Sequence, residues 1–274
     1  MSHIFVFDGL DKFSQELETY GIKVDKTFLD MSPVFDAHEE YEKWAEAQDF
    51  NNIVNSVDDK EVYIVLKPTV MSGALLVFIE ALKMAQKNVS VCVLGRMKTA
   101  PTTEKFLFRV LYGILKEKAV CSAISHFFVF SYDLLLKYLK VSLMEQDDKF
   151  QSVIAELLFR KLQFLQMRAK NSFSSDFKVG ADAIQRIKDF SKVSILSKVP
   201  IQNITQFQKD LEEIVLMFAP TCEILQNNLY VSDPGAKMSE KIEEFIYGEN
   251  VKTNNNVFIF SESKESYLLE TFVY

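Results

Sequence analysis

The chain has 274 residues, a formal net charge of −7 and only 8 glycines. Glycine is thus about 3% of the chain against roughly 7% in an average protein, and the glycines are scattered. This excludes the G-x-G-x-x-G and G-x-x-x-x-G-K-[ST] phosphate loops and the G-x-S-x-G nucleophile elbow. The acidic pI, near 5.2, argues against a surface built for nucleic acid.

The first 50 residues predict two short strands, each followed by a helix. Residues 3–7 (HIFVF) predict a strand, and residues 11–20 predict an amphipathic helix that stops at Gly21. Residues 26–31 predict the second strand. Ser32 and Pro33 then predict the start of a helix that carries Trp44, because serine caps helices and proline suits their first turn.

Strands and helices alternate from residue 62 to residue 130. Strands are predicted at 62–66, 89–94 and 126–130, with one helix beginning at Ser72 and another over 102–118. This alternation implies right-handed crossovers, so we expect a doubly wound α/β domain with a mostly parallel sheet. Ligands of such sheets bind beyond the carboxyl ends of the strands. The informative loops are therefore 8–10, 67–73, 95–103 and 131–133.

The second half predicts a long helix and a smaller α+β unit. The long helix covers 147–170, and a further helix covers 180–190. Strands are predicted at 193–196 and 222–231, and helices at 206–218 and 237–247. Residues 257–261 and 267–274 predict a terminal strand pair. The predicted domains are 1–146, a central helical segment 147–190, and 191–274.

The cysteines and the apolar segments indicate in which cellular compartment the protein is expected. Cys92, Cys121 and Cys222 are far apart, which favours a reducing environment. The N-terminus lacks a signal-peptide pattern, and the most apolar segment, 73–85, is interrupted by Glu80 and Lys83. We expect a cytoplasmic protein with no membrane span. The three histidines and three cysteines do not form a zinc-ligand pattern, so no metal site is predicted.

Five stretches together resemble the tubulin/FtsZ superfamily: residues 3–33, 61–97, 127–139, 222–248 and 257–274. The resemblance lies in the order and spacing of elements and covers most of the chain. It implies a parallel nucleotide-binding domain, a long central helix and a smaller C-terminal sheet domain. It also implies GTP as the ligand of the N-terminal domain.

The loops that bind phosphate in that family are altered here. In place of G-G-G-T-G-[ST]-G, this chain reads Lys67-Pro68-Thr69-Val70-Met71-Ser72-Gly73. Pro68 has no N–H, and Val70 and Met71 add side chains where phosphate needs close backbone approach. Ser72 and Gly73 could still offer N–H groups. The first loop keeps Gly9, between Asp8 and Asp11, whose carboxylates would repel phosphate unless a metal ion lay between them.

The resemblance also assigns the remaining candidate site residues. If a nucleotide binds, it implies contacts from Gly9, Lys67, Thr69, Ser72, Gly73, Ser131 and Asp133. Lys67 is alternatively a solvated surface lysine, and Ser131 and Asp133 alternatively cap the helix 134–139. Asn203 is the nearest match to the asparagine of the family's N-x-D-x-x-D hydrolysis motif, but Thr205 and Gln208 replace its carboxylates.

Three functions remain open at this point. The first is a tubulin/FtsZ-like structural protein without normal GTP binding or hydrolysis, which acts by self-association or by binding another protein. The second is an active GTPase with atypical loops that forms cytoskeletal filaments. The third is an unrelated doubly wound α/β enzyme acting on a small molecule. The segment 267–274 would offer backbone groups for self-association if it were an edge strand; alternatively it pairs inside the domain.

Overall fold

The computed structural model describes most of the chain. The described residues are 2–7, 9–26, 33–96, 98, 100–138, 146–169, 193–198, 206, 209–213, 216, 224–232, 254–260 and 266–273. The predicted helices 180–190 and 237–247 and the candidate Asn203 lie outside them. Within them, no helix is long and apolar enough to cross a membrane.

Strands and helices alternate in the first half as predicted. The N-terminal elements are β1 (Ser2–Val6), α1 (Asp11–Thr19), β2 (Val24–Asp25), α2 (His38–Glu46) and α3 (Asn51–Asn55). Next come β3 (Glu61–Leu66), a 3-10 turn (Val70–Ala74), α4 (Leu75–Met84), β4 (Asn88–Gly95), α5 (Thr102–Val120), β5 (His126–Ser131) and α6 (Tyr132–Tyr138).

The second half begins with the long helix α7 (Gln146–Ala169). Four strands follow: β6 (Val193–Lys198), β7 (Ile224–Ser232), β8 (Asn254–Phe260) and β9 (Ser266–Val273). Residues 206, 209–213 and 216 are helical, as predicted for the segment 206–218.

The described strands form one sheet of nine, in the order β2-β1-β3-β4-β5-β6-β9-β7-β8. All pairs from β2 to β6 are parallel, β9 runs antiparallel to both β6 and β7, and β8 is parallel to β7. The doubly wound, mostly parallel α/β fold is therefore confirmed. The sheet continues from β5 into β6, and the boundaries predicted at 146/147 and 190/191 stay predictions.

Helices cover both faces of this sheet. On one face, α2, α3, α4 and α5 pack over a core in which the Phe78 ring lies within 5.1–5.4 Å of the rings of Phe5, Phe7 and Phe50. On the other face, α1 and α7 pack together, with the rings of Tyr20 and Phe159 stacked at 4.4 Å. Strands buried on both faces explain why β3, β4 and β5 read as continuous apolar runs.

Two local predictions were wrong. The terminal strands do not pair with each other, because β9 lies between β6 and β7 and β8 pairs only with β7 among the described strands. Burial on both faces of β9 favours this inner position, so Ser266–Val273 does not form an edge. The helix predicted from Pro33 begins at His38, where Glu40 accepts a hydrogen bond from the Ala37 N–H (3.2 Å). A strand covers Val24–Asp25, and residues 27–31 of the strand predicted at 26–31 lie outside the described residues.

Candidate functional site

A cavity of about 340 Å³ lies at the carboxyl ends of β3, β4 and β5. This is the edge at which doubly wound sheets bind ligands. Its polar lining comes from Lys67, Thr69, Arg96, Thr103, Glu104, Tyr132 and Asp147, and its apolar lining from Pro68, Leu94, Pro101, Leu107 and Phe150. The strand-exit loops thus meet the first residues of α5, α6 and α7 in one place, which makes this cavity the candidate site.

Each cation of the cavity lies beside a carboxylate. Lys67 Nζ is 3.7 Å from Asp147 Oδ2, and Arg96 Nη2 is 3.3 Å from Glu104 Oε2. Two positive and two negative charges therefore line the cavity. A triphosphate would have to displace or outweigh both carboxylates to gain from these cations.

Tyr132 forms the aromatic wall of the cavity. The Arg96 guanidinium lies 5.5 Å from the centre of its ring, within the range of a cation–π contact. Burial raises the pKa of the Tyr132 phenol, and the nearby Asp147 carboxylate raises it further, although Arg96 partly opposes both. Tyr132 is therefore a neutral hydroxyl at physiological pH, able to donate a hydrogen bond.

Several donors of the loop 67–73 make their hydrogen bonds within the loop. The Thr69 N–H donates to the Lys67 carbonyl (2.9 Å), and the Ser72 N–H donates to the Thr69 carbonyl (3.0 Å). The Ser72 hydroxyl donates to that same carbonyl (2.6 Å). These three donors are therefore used within the loop in this conformation, and Pro68 has no N–H to offer a phosphate.

Gly73 is explained by packing against α2. A Cβ added at Gly73 would lie 2.2 Å from the backbone oxygen of His38, the first residue of α2. Only glycine permits that approach. The one glycine of this loop therefore has a structural reason independent of any phosphate.

The predicted site residues separate into two groups. Lys67 and Thr69 line the cavity, whereas Gly9, Ser72, Gly73, Ser131 and Asp133 do not belong to its lining. Ser131 Oγ accepts the Leu134 N–H (3.3 Å), which is the helix-capping role considered from the sequence. Both Asp133 carboxylate oxygens accept the Lys98 N–H at 3.1 Å. The part of these residues in ligand binding stays a prediction.

Sequence reasoning missed five polar residues of the cavity: Arg96, Thr103, Glu104, Tyr132 and Asp147. Arg96 directly follows the last residue of β4 and lies in the loop 95–103, which was singled out as informative. Its position after a strand could have identified it. Asp147 comes from α7, far along the chain, and local pattern gives no sign that it reaches Lys67.

A group of contacts, here called the clasp, joins the loop after β4 and helix α6 to the helical residues 206 and 209–213. Asp210 receives hydrogen bonds from Lys137 Nζ (2.7 Å), Gln206 Nε2 (3.0 Å) and the Tyr138 hydroxyl. Lys98 Nζ lies 3.0 Å from Glu213 Oε1. The clasp therefore connects the loop after β4 and helix α6, both next to the cavity, to the C-terminal half of the chain.

Acid should weaken the clasp. Burial alone would raise the pKa of Asp210, but hydrogen bonds from Lys137, Tyr138 and Gln206 outweigh it and hold that pKa below its usual 3.8. Because the folded-state pKa lies below the unfolded one, this stabilisation is complete above about pH 4 and is lost as pH falls through the folded value. Asp210→Asn should remove that acid-dependent component and destabilise the fold by about 1 kcal/mol at pH 7. Urea unfolding of both proteins between pH 7 and pH 2.5 measures this, and equal pH dependence in the two would contradict it.

Metal chemistry finds no support in the described part of the chain. No group of three or more His, Cys, Asp or Glu side chains there could hold a metal ion. The buried Cys92 is also poorly suited to thiolate chemistry, because burial raises the pKa of its thiol.

Comparison with known proteins gives no match by sequence and a clear match by structure. No family model and no curated protein matches the chain. CetZ2 from Haloferax volcanii, solved as a protofilament with GTPγS bound, superposes with a TM-score of 0.59 at 11% identity, over 100% of this chain and 92% of that one. FtsZ from M. jannaschii, solved as an empty dimer, gives a TM-score of 0.62 at 10% identity, over 100% and 88%.

A viral relative of these proteins gives the same result. TubZ of Clostridium botulinum phage c-st superposes with a TM-score of 0.58 at 12% identity, over 99% of this chain and 91% of that one. Agreement over whole chains, including the strands after the long helix, is more than a general doubly wound pattern provides. The chain therefore has the tubulin/FtsZ fold.

Proposed function

We propose that this chain is a tubulin/FtsZ-like structural protein that acts by self-association or by binding another protein, without the GTP binding and hydrolysis typical of that superfamily. The observation that carries the proposal is the loop 67–73. Its Thr69 and Ser72 N–H groups donate within the loop, and its one glycine is required because the His38 backbone packs against it.

The charges of the cavity support the same proposal. Lys67 and Arg96 each lie within 4 Å of a carboxylate, so the cavity has no excess of positive charge to attract a nucleoside triphosphate. Self-association is supported by the solved relatives, of which CetZ2 was captured as a protofilament and FtsZ as a dimer. A fold alone does not determine function, so this part of the proposal needs its own test.

The competing function is an active GTPase with atypical loops. The observation in its favour is the cavity itself, which lies at the ligand-binding edge of the sheet and includes two cations. It requires GTP binding that depends on Lys67 or Arg96, and catalysis that depends on Asn203, which lies outside the described residues.

Calorimetry with GTP and Mg²⁺ separates the two functions. We expect the wild-type chain to show no saturable binding, that is, a Kd weaker than about 1 mM, because the loop offers phosphate too few donors. Lys67→Ala and Arg96→Ala should give the same titration as wild type. Saturable binding that either substitution abolishes would establish the GTPase alternative instead.

Sedimentation velocity and electron microscopy test the structural role directly. We expect assembly to depend on protein concentration and to be the same with and without GTP. A chain that associates only when GTP is added would contradict the proposal.

A further inference from the structure

Helix α5 exposes an apolar stripe on its outer side. Phe106 is 64% exposed, and Val110, one turn later, is 42% exposed. Their neighbours Phe108 and Leu111 face inward and are buried. Gly113 continues the stripe, with open space where its Cβ would lie. Exposed apolar groups arranged along one helix face are a feature of interaction surfaces.

Basic residues flank this stripe. Lys105, Arg109 and Lys116 follow one another at spacings of four and seven along α5, which places them on one side of the helix. Arg109 is exposed, and the two lysines are partly buried. Of the acids on α5, Glu104 points to Arg96 in the cavity. The exposed Glu117 lies one turn after Gly113, so three basic residues stand against this one acid. The outer side of α5 therefore combines an apolar stripe with a positive border.

Helix α2 has the opposite character. Glu39, Glu42 and Glu46 are all exposed and lie three and four residues apart, so they form one stripe on the helix. The exposed Lys43 lies among them and offsets one of their three negative charges, so the stripe keeps a net negative charge. Val34, just before this helix, is 92% exposed. A surface with one exposed apolar side chain and a row of carboxylates complements the apolar and basic surface of α5.

The two surfaces lie on different helices. Helix α2 packs on the 3-10 turn and on α4, and α5 is joined to α4 by the Lys118–Glu80 ion pair (3.8 Å). Complementary surfaces at different places on one chain generate heterologous contacts, which can continue from copy to copy.

We propose that the α5 stripe (Phe106 and Val110, with the basic row Lys105, Arg109 and Lys116) docks on the acidic face of α2 (Glu39, Glu42 and Glu46, with Val34) of a second copy of this chain. Phe106 and Val110 cover Val34 and the aliphatic stems of the glutamates, while Arg109 meets the carboxylates. This contact rests on the self-association part of the proposed function and names the surface that performs it.

The strength of the contact follows from its size and charge. One helix against another buries less than a standard interface of about 800 Å² per partner, so the association is weak and depends on concentration. Its ion pairs are exposed, and the Debye length falls from roughly 10 Å at 0.1 M salt to roughly 3 Å at 1 M. Association should therefore weaken as salt rises.

Sedimentation velocity of the whole chain tests the contact with variants on each surface. Phe106→Asp and the double variant Glu42→Lys/Glu46→Lys should each weaken association by about tenfold or more, as expected when a central anchor or the complementary charge is lost. Leu216→Asp changes another exposed apolar residue, 54% exposed, and should associate like wild type. Circular dichroism melting verifies that every variant is folded.

Mixing the variants identifies the type of contact. Phe106→Asp retains the acidic face, and Glu42→Lys/Glu46→Lys retains the α5 stripe. An equimolar mixture should form dimers that do not grow further, because only one complementary pair of surfaces remains. Dimers of either variant alone would show a contact of another kind and overturn the proposal.

The remaining outcomes separate this surface from the broader function. Wild-type association that survives Phe106→Asp would overturn this surface and leave self-association standing. A wild-type chain that remains monomeric at every concentration would overturn both the surface and self-association.

Discussion

Replacement of Lys161 by alanine is expected to lower the free energy of unfolding by about 3–5 kcal/mol. Lys161 Nζ lies 2.6 Å from Glu270 Oε2, and the two residues are 4% and 0% exposed. Without the ammonium group, the Glu270 carboxylate would stay buried without its counter-charge.

The Glu270 carboxylate is the centre of a buried network that connects α7 to three strands. Ser194 Oγ of β6 donates to Glu270 Oε1 (3.0 Å), and the Tyr230 hydroxyl of β7 donates to Oε2 (2.7 Å). The Lys161 ammonium also lies 5.8 Å and 5.6 Å from the ring centres of Phe128 and Tyr230. The network therefore joins the long helix to the C-terminal strands in one arrangement.

Urea unfolding of the single variant and of a paired double variant measures this effect. Lys161→Met/Glu270→Leu should be closer to wild type than Lys161→Ala, since replacing both members of a buried pair by apolar groups is often nearly neutral. Lys12→Ala is the matched control: Lys12 pairs with Glu16 at 3.2 Å, but its side chain is 41% exposed. We expect a change below about 1 kcal/mol there. A similarly small change for Lys161→Ala would contradict the prediction.

Gly73→Ala is expected to destabilise the chain by about 1–3 kcal/mol or more. The added Cβ would lie 2.2 Å from the His38 backbone oxygen and 3.1 Å from its backbone carbon. These are backbone atoms at the start of α2, so neither a side-chain rotation nor a small shift relieves the overlap. The start of α2 and the 3-10 turn must separate.

Thermal and chemical unfolding measure the cost, and Gly9→Ala is the matched control. Gly9 has no atom within 4 Å of an added Cβ and does not have a positive φ, so its substitution should change stability by less than about 0.5 kcal/mol. If Gly73→Ala were as stable as wild type, the packing explanation for Gly73 would be wrong. The phosphate-loop explanation would then become the better one.

Much of the fold could be predicted from the sequence because its signals are local. Continuous apolar runs identified β3, β4 and β5, and helical periodicity placed the long helix at 147–170, against Gln146–Ala169 observed. The order of elements pointed to the tubulin/FtsZ fold at a sequence identity of only 10–12% to the solved relatives cited above. Element order survives at this divergence because many apolar residues can fill the same positions in a core.

The candidate site was only partly predictable. Lys67 and Thr69 follow a recognisable strand and do line the cavity. Asp147 reaches the cavity from a helix about 80 residues after Lys67, and no local sequence pattern predicts that contact. The position of β9 was missed for the same reason. Its closeness to β8 in the sequence favours a β8–β9 pair, but β9 pairs with β6 and β7, where it is buried.

The sequence by itself determined the alternating strands and helices, the long helix and the shortage of glycine where phosphate loops would need it. Each depends on residue type and spacing within a short window. Only the tertiary structure decided what those glycine-poor loops do. It showed that Gly73 is held against His38 and that Lys67 and Arg96 lie beside Asp147 and Glu104. Close backbone approach and charge pairing depend on which distant segments meet, and that is set by packing of the whole chain.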